Sequence, residues 1–190
     1  LLNFAPDHLD RHGSMENYIR AKARLFENQE PFDRAIIQMD AWRELQRLGI
    51  GVPAKVLTFS ATDEAADLHL NRSLLISRLP GWTGPILDLE ECRLKGHHNA
   101  ENLLAALLVG RAMKLSVEEM VSAMRDFQPG PHRCELIAEQ VGVKFFNDSK
   151  ATNVHALCSA LRTMPSAGEP KNIWLIAGGQ DKALDFHAAG

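Results

Sequence analysis

Apolar positions along the chain change period several times, and the changes mark the elements. After Ser14, a plausible N-cap, residues Tyr18, Ala21, Leu25 and Phe26 recur at helical spacing and predict a helix over 14–29. The run Ala35–Met39 has strand length. Asp40 then caps a short helix carrying Trp42, Leu45 and Leu48, and Gly49 ends it. Lys55–Phe59 predicts the next strand, and this strand–helix–strand rhythm is that of a parallel α/β sheet. Residues 67–95 read as short strands punctuated by Pro80-Gly81 and Gly84-Pro85. Asn99–Met113 is apolar on most sides, which predicts a buried helix. Ser116-Val117-Glu118-Glu119 matches a capping box, and it opens a helix whose Val117, Met120, Val121, Met124 and Phe127 form a core stripe.

Gln128-Pro129-Gly130-Pro131 cannot continue a helix and suits a linker. Beyond it, Cys134–Glu139 and Val143–Asn147 are strand-like, with Gly142 between them. A polar loop, 148–153, opens a helix to about Met164, and Asn172–Ala177 predicts a strand ending in Gly178-Gly179. The expected architecture is therefore α/β in two parts, 1–130 and 131–190. The opening Leu1-Leu2-Asn3-Phe4 is strand-like and lacks an initiator methionine, so the chain reads as cut from a longer protein.

Composition narrows the classes. Hydrophobic residues make up 45% and charged residues 24%, which excludes a disordered tail or a coiled coil. A net charge of −3 argues against a basic nucleic-acid module. Cys92, Cys134 and Cys158 are odd in number and widely spaced, and fit reduced thiols in a cytoplasmic protein. No apolar run is long enough to span a bilayer.

Six stretches carry candidate chemistry. Asp7-His8-Leu9-Asp10-Arg11-His12 follows a strand-like run, where open α/β sheets bind ligands; His8 is a potential metal ligand, and a capped surface turn is the plain alternative. Lys22 stands between Ala21 and Ala23, and by spacing alone is a solvated helix lysine. Asp148-Ser149-Lys150-Ala151-Thr152-Asn153 joins a strand to a helix N-terminus, a setting for an anion or for simple capping. Asn99 and Asn102 begin a helix, where an asparagine reads an adenine edge or caps. Pro131-His132-Arg133 puts a permanent charge at the linker. Gly178-Gly179-Gln180-Asp181-Lys182 permits close ligand approach or is a plain turn. There is no Walker phosphate loop, so this stretch alone is expected to bind ATP poorly.

In this order the segments resemble the Mur ligases. Asn3–His12 is similar to the family's Asn-x-Ser/Thr-x-Asp-His-Leu/Met-Asp-Arg, and Tyr18-Ile19-Arg20-Ala21-Lys22 to its Tyr-x-x-Ala-Lys. His98-Asn99-Ala100-Glu101-Asn102 resembles His-Asn-x-x-Asn, and Pro131-His132-Arg133 resembles Pro-His-Arg. Asn147–Asn153 resembles the loop of the D-glutamate-adding member, and Gly178–Lys182 completes the series. Ala5 departs from the usual hydroxyl residue, and Ala183 from a common glycine.

The resemblance implies part of a central ATPase domain followed by the start of a Rossmann-like C-terminal domain. It implies ATP-dependent ligation of D-glutamate to UDP-N-acetylmuramoyl-L-alanine through an acyl phosphate, in peptidoglycan synthesis, with ATP and magnesium. His8 matches a magnesium ligand, and Lys22 a lysine carbamylated by CO₂ whose carboxylate positions magnesium. Asn99, Asn102, Arg133 and Asp148 match nucleotide contacts; Lys150, Thr152 and Lys182 match positions near glutamate or the reaction centre. Another Mur-type ligase, a metal-dependent hydrolase and a folded inactive fragment are the alternatives.

Overall fold

Ile37 and Phe59 have no solvent exposure, and the strands carrying them need both faces covered. β1 (Arg34–Gln38) and β2 (Lys55–Ser60) pair in parallel in the computed structural model, joined by α3 (Met39–Arg47). The structure describes residues 1–5, 9–163 and 173–179. Two compact units emerge, Leu1–Gln128 and Pro129–Gly190.

In the first unit, α1 (Leu9–His12) leads to α2 (Met15–Ala23), and the Ser14 hydroxyl accepts the Asn17 N–H as an N-cap should. This helix is shorter than its apolar spacing predicts: after Ala23 the chain tightens into a 3₁₀ turn, Arg24–Phe26, and Leu25 is left exposed. The cap of α3 is a second correction. Gln38, not Asp40, closes it, its side-chain oxygen accepting from the Asp40 and Ala41 amides at 2.7 and 3.0 Å. The strand runs directly into the helix, so the last strand residue is the one placed to cap.

β3 (Leu68–Asn71) joins β2 in parallel over only two residue pairs, Phe59 with Leu68 and Ser60 with His69. Asp67 reinforces the junction by accepting from both the Thr58 amide and the Thr58 hydroxyl. β4 (Leu74–Ser77) and β5 (Gly84–Asp88) then return antiparallel, giving a mixed sheet in the order β1-β2-β3-β4-β5. The tight turn at Arg72 and Ser73 between β3 and β4 leaves no room for a crossover, so those strands pair antiparallel.

α4 (His97–Ala112) buries Leu104, Leu107 and Leu108 completely and packs on β1, β2 and β3, as its apolar girth predicts. α5 (Val117–Asp126) lies against it, with Ser116 accepting from the Glu119 amide at its start. A β-carbon at Gly110 would overlap the Met120 sulfur, so this glycine sets how closely the two helices approach. One core cluster joins β2–β5, α4 and α5; a second joins α2, β1 and α3. Phe127 departs from the predicted stripe. It follows the last turn of α5 in extended conformation and is 54% exposed.

In the second unit, β6 (Glu135–Gln140) and β7 (Val143–Asn147) form a hairpin turned at Val141 and Gly142, both at positive φ. α6 (Val154–Thr163) follows. The strand expected over Asn172–Ala177 is not found: residues 173–177 have no regular structure, and Asn172 lies outside the described residues. Trp174 and Ile176 are exposed there, and among the described residues no strand pairs with this run.

Candidate functional site

The opening segment extends the sheet. Leu1 N donates to Ile36 O at 2.8 Å, and the Gln38 amide donates to Leu1 O at 3.0 Å. Both bonds are made by Leu1 in the parallel sense, so the segment runs on with Asn3 and Phe4 toward the carboxyl edge of β1. Open α/β sheets bind ligands at this edge. His8 and Asp7 lie outside the described residues, and nothing in the geometry places them.

Lys22 lies near the end of α2. That helix turns Tyr18, Ile19 and Ala23 into the core, which leaves Lys22 half-buried beside the opening segment. Its Nζ donates to Asn3 O at 3.2 Å, with the Tyr18 ring centroid at 4.8 Å and that of Phe4 at 5.9 Å. The His12 ring meets Tyr18 edge-on at 5.5 Å. The freely solvated lysine read from spacing alone is therefore not what the fold makes; Lys22 reaches the end of the segment that runs on to His8. A carbamate there would present oxygen donors, the type magnesium prefers. Among the described residues, which do not include Asp7 and His8, no group of three or more His, Cys, Asp and Glu could hold a metal ion.

α4 starts at the same edge. Gly96 is its N-cap at φ 88° and offers no side chain, so Asn99 is not the cap. Instead its side-chain amide donates to Lys95 O at 2.8 Å. Asn102 is exposed and borders an open groove of about 560 Å³ between α4 and α5, floored by Leu103, Met120 and Met124 and rimmed by Phe127.

One residue here was missed by sequence reasoning. Glu101 turns away from the groove, and its Oε1 accepts from the Ala61 amide at 2.9 Å and from Gln38 Nε2 at 3.5 Å. Its Oε2 is buried with no hydrogen-bond partner. Desolvation raises the Glu101 pKa, and nearby Asp40 adds to the rise; the Ala61 and Gln38 hydrogen bonds and His97 oppose it. Only an unusual polar residue inside an apolar helix hinted at this role.

The sign of the pH effect follows. The folded pKa lies above the unfolded one, so the cost of ionising Glu101 is absent below the ordinary glutamate range. It appears as pH rises through the folded value. The stability of Glu101→Gln relative to the parent should therefore shift in the variant's favour as pH rises above the ordinary glutamate range. Urea melts at several pH values check this, and a shift in the opposite direction contradicts it.

In the second unit two distant motifs meet. The Lys150 amide donates to His132 O at 3.2 Å, and the Asn147 side-chain amide lies 2.8 Å from His132 Nδ1. The Cys134 amide donates to Asp148 Oδ1 at 3.0 Å. His132 and Cys134 both sit at positive φ, so the segment holding Arg133 bends sharply to make these bonds. Arg133, Lys150 and Thr152 are exposed. The helix begins where the polar loop ends, as expected: Asn153 caps it, accepting from the Ala156 amide at 2.8 Å. Residues 148–152 are thereby freed from capping. Gly178 and Gly179 are described and Gly179 has φ 141°, whereas Lys182 lies outside the described residues.

Residues 1–110 match the family model described as the Mur ligase middle domain. The chain is 42% identical over 188 residues to the UDP-N-acetylmuramoylalanine–D-glutamate ligase of Desulfitobacterium hafniense, covering 98% of this chain and 40% of that protein. It is 41% identical over 189 residues to the ligase of that name from Acidobacterium capsulatum, with the same coverage. The chain thus spans about two fifths of the length of these relatives. Among solved structures, MurF from Acinetobacter baumannii superposes with a TM-score of 0.69 at 20% identity, over 86% of this chain and 37% of that one. A pseudomurein peptide ligase type C from Methanothermus fervidus gives 0.67 at 15% identity, over 88% and 41%. At those identities the structures speak for the fold, and the match over residues 1–110 speaks for descent: the chain belongs to the Mur ligase family.

Proposed function

We propose that the full-length protein joins D-glutamate to UDP-N-acetylmuramoyl-L-alanine at the expense of ATP, a step of peptidoglycan synthesis. The observation that carries this reading is the alignment of 98% of the chain, at 42% identity, with a relative bearing that name. The Asn147–Asn153 loop, whose wording matches the D-glutamate-adding member, supports the choice of amino acid. We place the reaction in the cytoplasm, where ATP is found; no helix among the described residues is long and apolar enough to cross a membrane.

The chemistry assigns roles. A carboxylate oxygen of the UDP-linked substrate attacks the γ-phosphorus of ATP, and ADP leaves. The D-glutamate amine then attacks the acyl carbon, phosphate departs with the bonding electrons, and the nitrogen gives up a proton. His8 and the carbamate of Lys22 would hold magnesium, which would neutralise charge on the phosphoryl oxygens. Asn102 stands at the edge of an apolar groove suited to a flat base, with Asn99 one turn earlier on the same side of α4. Arg133 and Asp148 serve the nucleotide; Lys150, Thr152 and Lys182 serve the glutamate and the reacting centre. Residues 1–130 and 131–190 are the central-domain and C-terminal-domain portions in this reading.

Lys150→Ala tests it. With the lysine placed by the hydrogen bond of its own amide to His132 O, its charge is available to the reacting groups rather than to the fold. Turnover in the full-length enzyme should fall about 100-fold or more, while the dissociation constant for the UDP-linked substrate changes less than about threefold. Steady-state kinetics and calorimetry read the two quantities, and equal losses in both would contradict the assignment.

A further inference from the structure

We propose that Glu101 is a positioning residue for the nucleotide: it clamps the N-terminal part of α4 to the ends of β1 and β2, and so sets where Asn99 and Asn102 stand. The role rests on the reading of those two asparagines as nucleotide contacts.

Three observations lead to it. First, α4 is anchored along its middle by Leu104, Leu107 and Leu108, but its start has a glycine cap with no side chain to fix it. Second, a polar tie from that start to the sheet is Glu101 Oε1, which takes the Ala61 amide just past β2 and the Gln38 side chain at the end of β1. Third, Gln38 also caps α3 through its own oxygen and holds the opening segment through its amide. Lys22 Nζ is bonded to Asn3 O of that same segment. A single chain of contacts thus runs from Lys22 through Asn3, Leu1 and Gln38 to Glu101 and α4. Geometry on the helix separates the roles. Asn99 and Asn102 are three residues apart and share a side, while Glu101 is turned about 100° from Asn102 toward the sheet edge. A carboxylate with one buried oxygen lacking a partner is costly in a purely structural position, where an apolar residue would pack without that cost.

The clamp depends on reach and on an acceptor oxygen, not on charge, and two variants of the full-length enzyme separate these. Glu101→Gln keeps the reach and the oxygen but loses the charge. Glu101→Asp keeps the charge and withdraws the oxygen by one methylene. In Glu101→Asp, the KM for ATP should rise about tenfold, with KM for the UDP-linked substrate and for D-glutamate within about twofold. Protection of the Ala61 amide from hydrogen exchange, read without any ligand, should fall by about the same factor. Glu101→Gln should stay within about threefold of the parent in both measurements. The reverse ranking, with Glu101→Asp normal and Glu101→Gln impaired, overturns the clamp and points to charge. Unchanged KM for ATP in Glu101→Asp, or an equal rise for all three substrates, also overturns it. If the parent enzyme takes no ATP at all, the functional reading fails and the nucleotide role falls with it; the Ala61 exchange result still reports whether the clamp exists.

Discussion

Replacing Lys22 with alanine in the full-length enzyme is expected to reduce turnover by about a thousandfold, equivalent to about 4 kcal/mol of transition-state stabilisation. The structure gives the physical setting. Nζ is half-buried at the carboxyl edge, 3.2 Å from Asn3 O and over the Tyr18 ring, at the end of the segment that continues to His8. Carbamylation joins the neutral amine nitrogen to the carbon of CO₂, with loss of a proton, and leaves an anion. An anion in that half-buried place is held only by a partnering cation, so the modification and magnesium should stabilise each other. Short exogenous carboxylates should restore part of the activity of Lys22→Ala by occupying the vacated space. Full activity in Lys22→Ala would contradict the role. So would an unmodified amine, seen by mass spectrometry or diffraction, with magnesium bound.

The largest expected loss of stability is at Phe59. This side chain has no solvent exposure, sits on β2 at the short parallel junction with β3, and belongs to the core shared with α4 and α5. Phe59→Ala removes a full aromatic ring from a close-packed site that cannot collapse around it, because strands on both sides fix the backbone. The expected cost is about 3–5 kcal/mol, a large share of the roughly 5–15 kcal/mol that holds a domain folded. Denaturant unfolding of variant and parent measures it, and a loss below about 1 kcal/mol would show the ring to be poorly packed. The same substitution tests the path to the site, since Ala61, the partner of Glu101, lies two residues further along.

The apolar period determined most elements without help. Ser14 and Ser116 cap the helices their spacing suggested, β1, β2 and the β6–β7 hairpin lie within a residue or two of their apolar runs, and α4 is buried on most of its circumference. These features arise from local sterics and from the need to bury one face, both of which are written into consecutive residues. The motifs that carry the family resemblance were equally legible, because each is a short run of consecutive residues. What tertiary structure alone decided involves partners far apart in the chain. The pairing of β1 with β2, the docking of Leu1 beside β1, and the meeting of His132 with Asn147 and Lys150 depend on strand pairing and loop closure, which no local period encodes. Phe127 satisfied the helical period yet lies exposed, since helix α5 ends one residue before it. Lys22 looked like any helix lysine until the fold brought Asn3 and two rings to it. Glu101 drew no reading of its own from sequence; the ends of β1 and β2 enclose it only in the fold, and the energetics of a buried charge are set by what surrounds it in space and not by its neighbours in sequence.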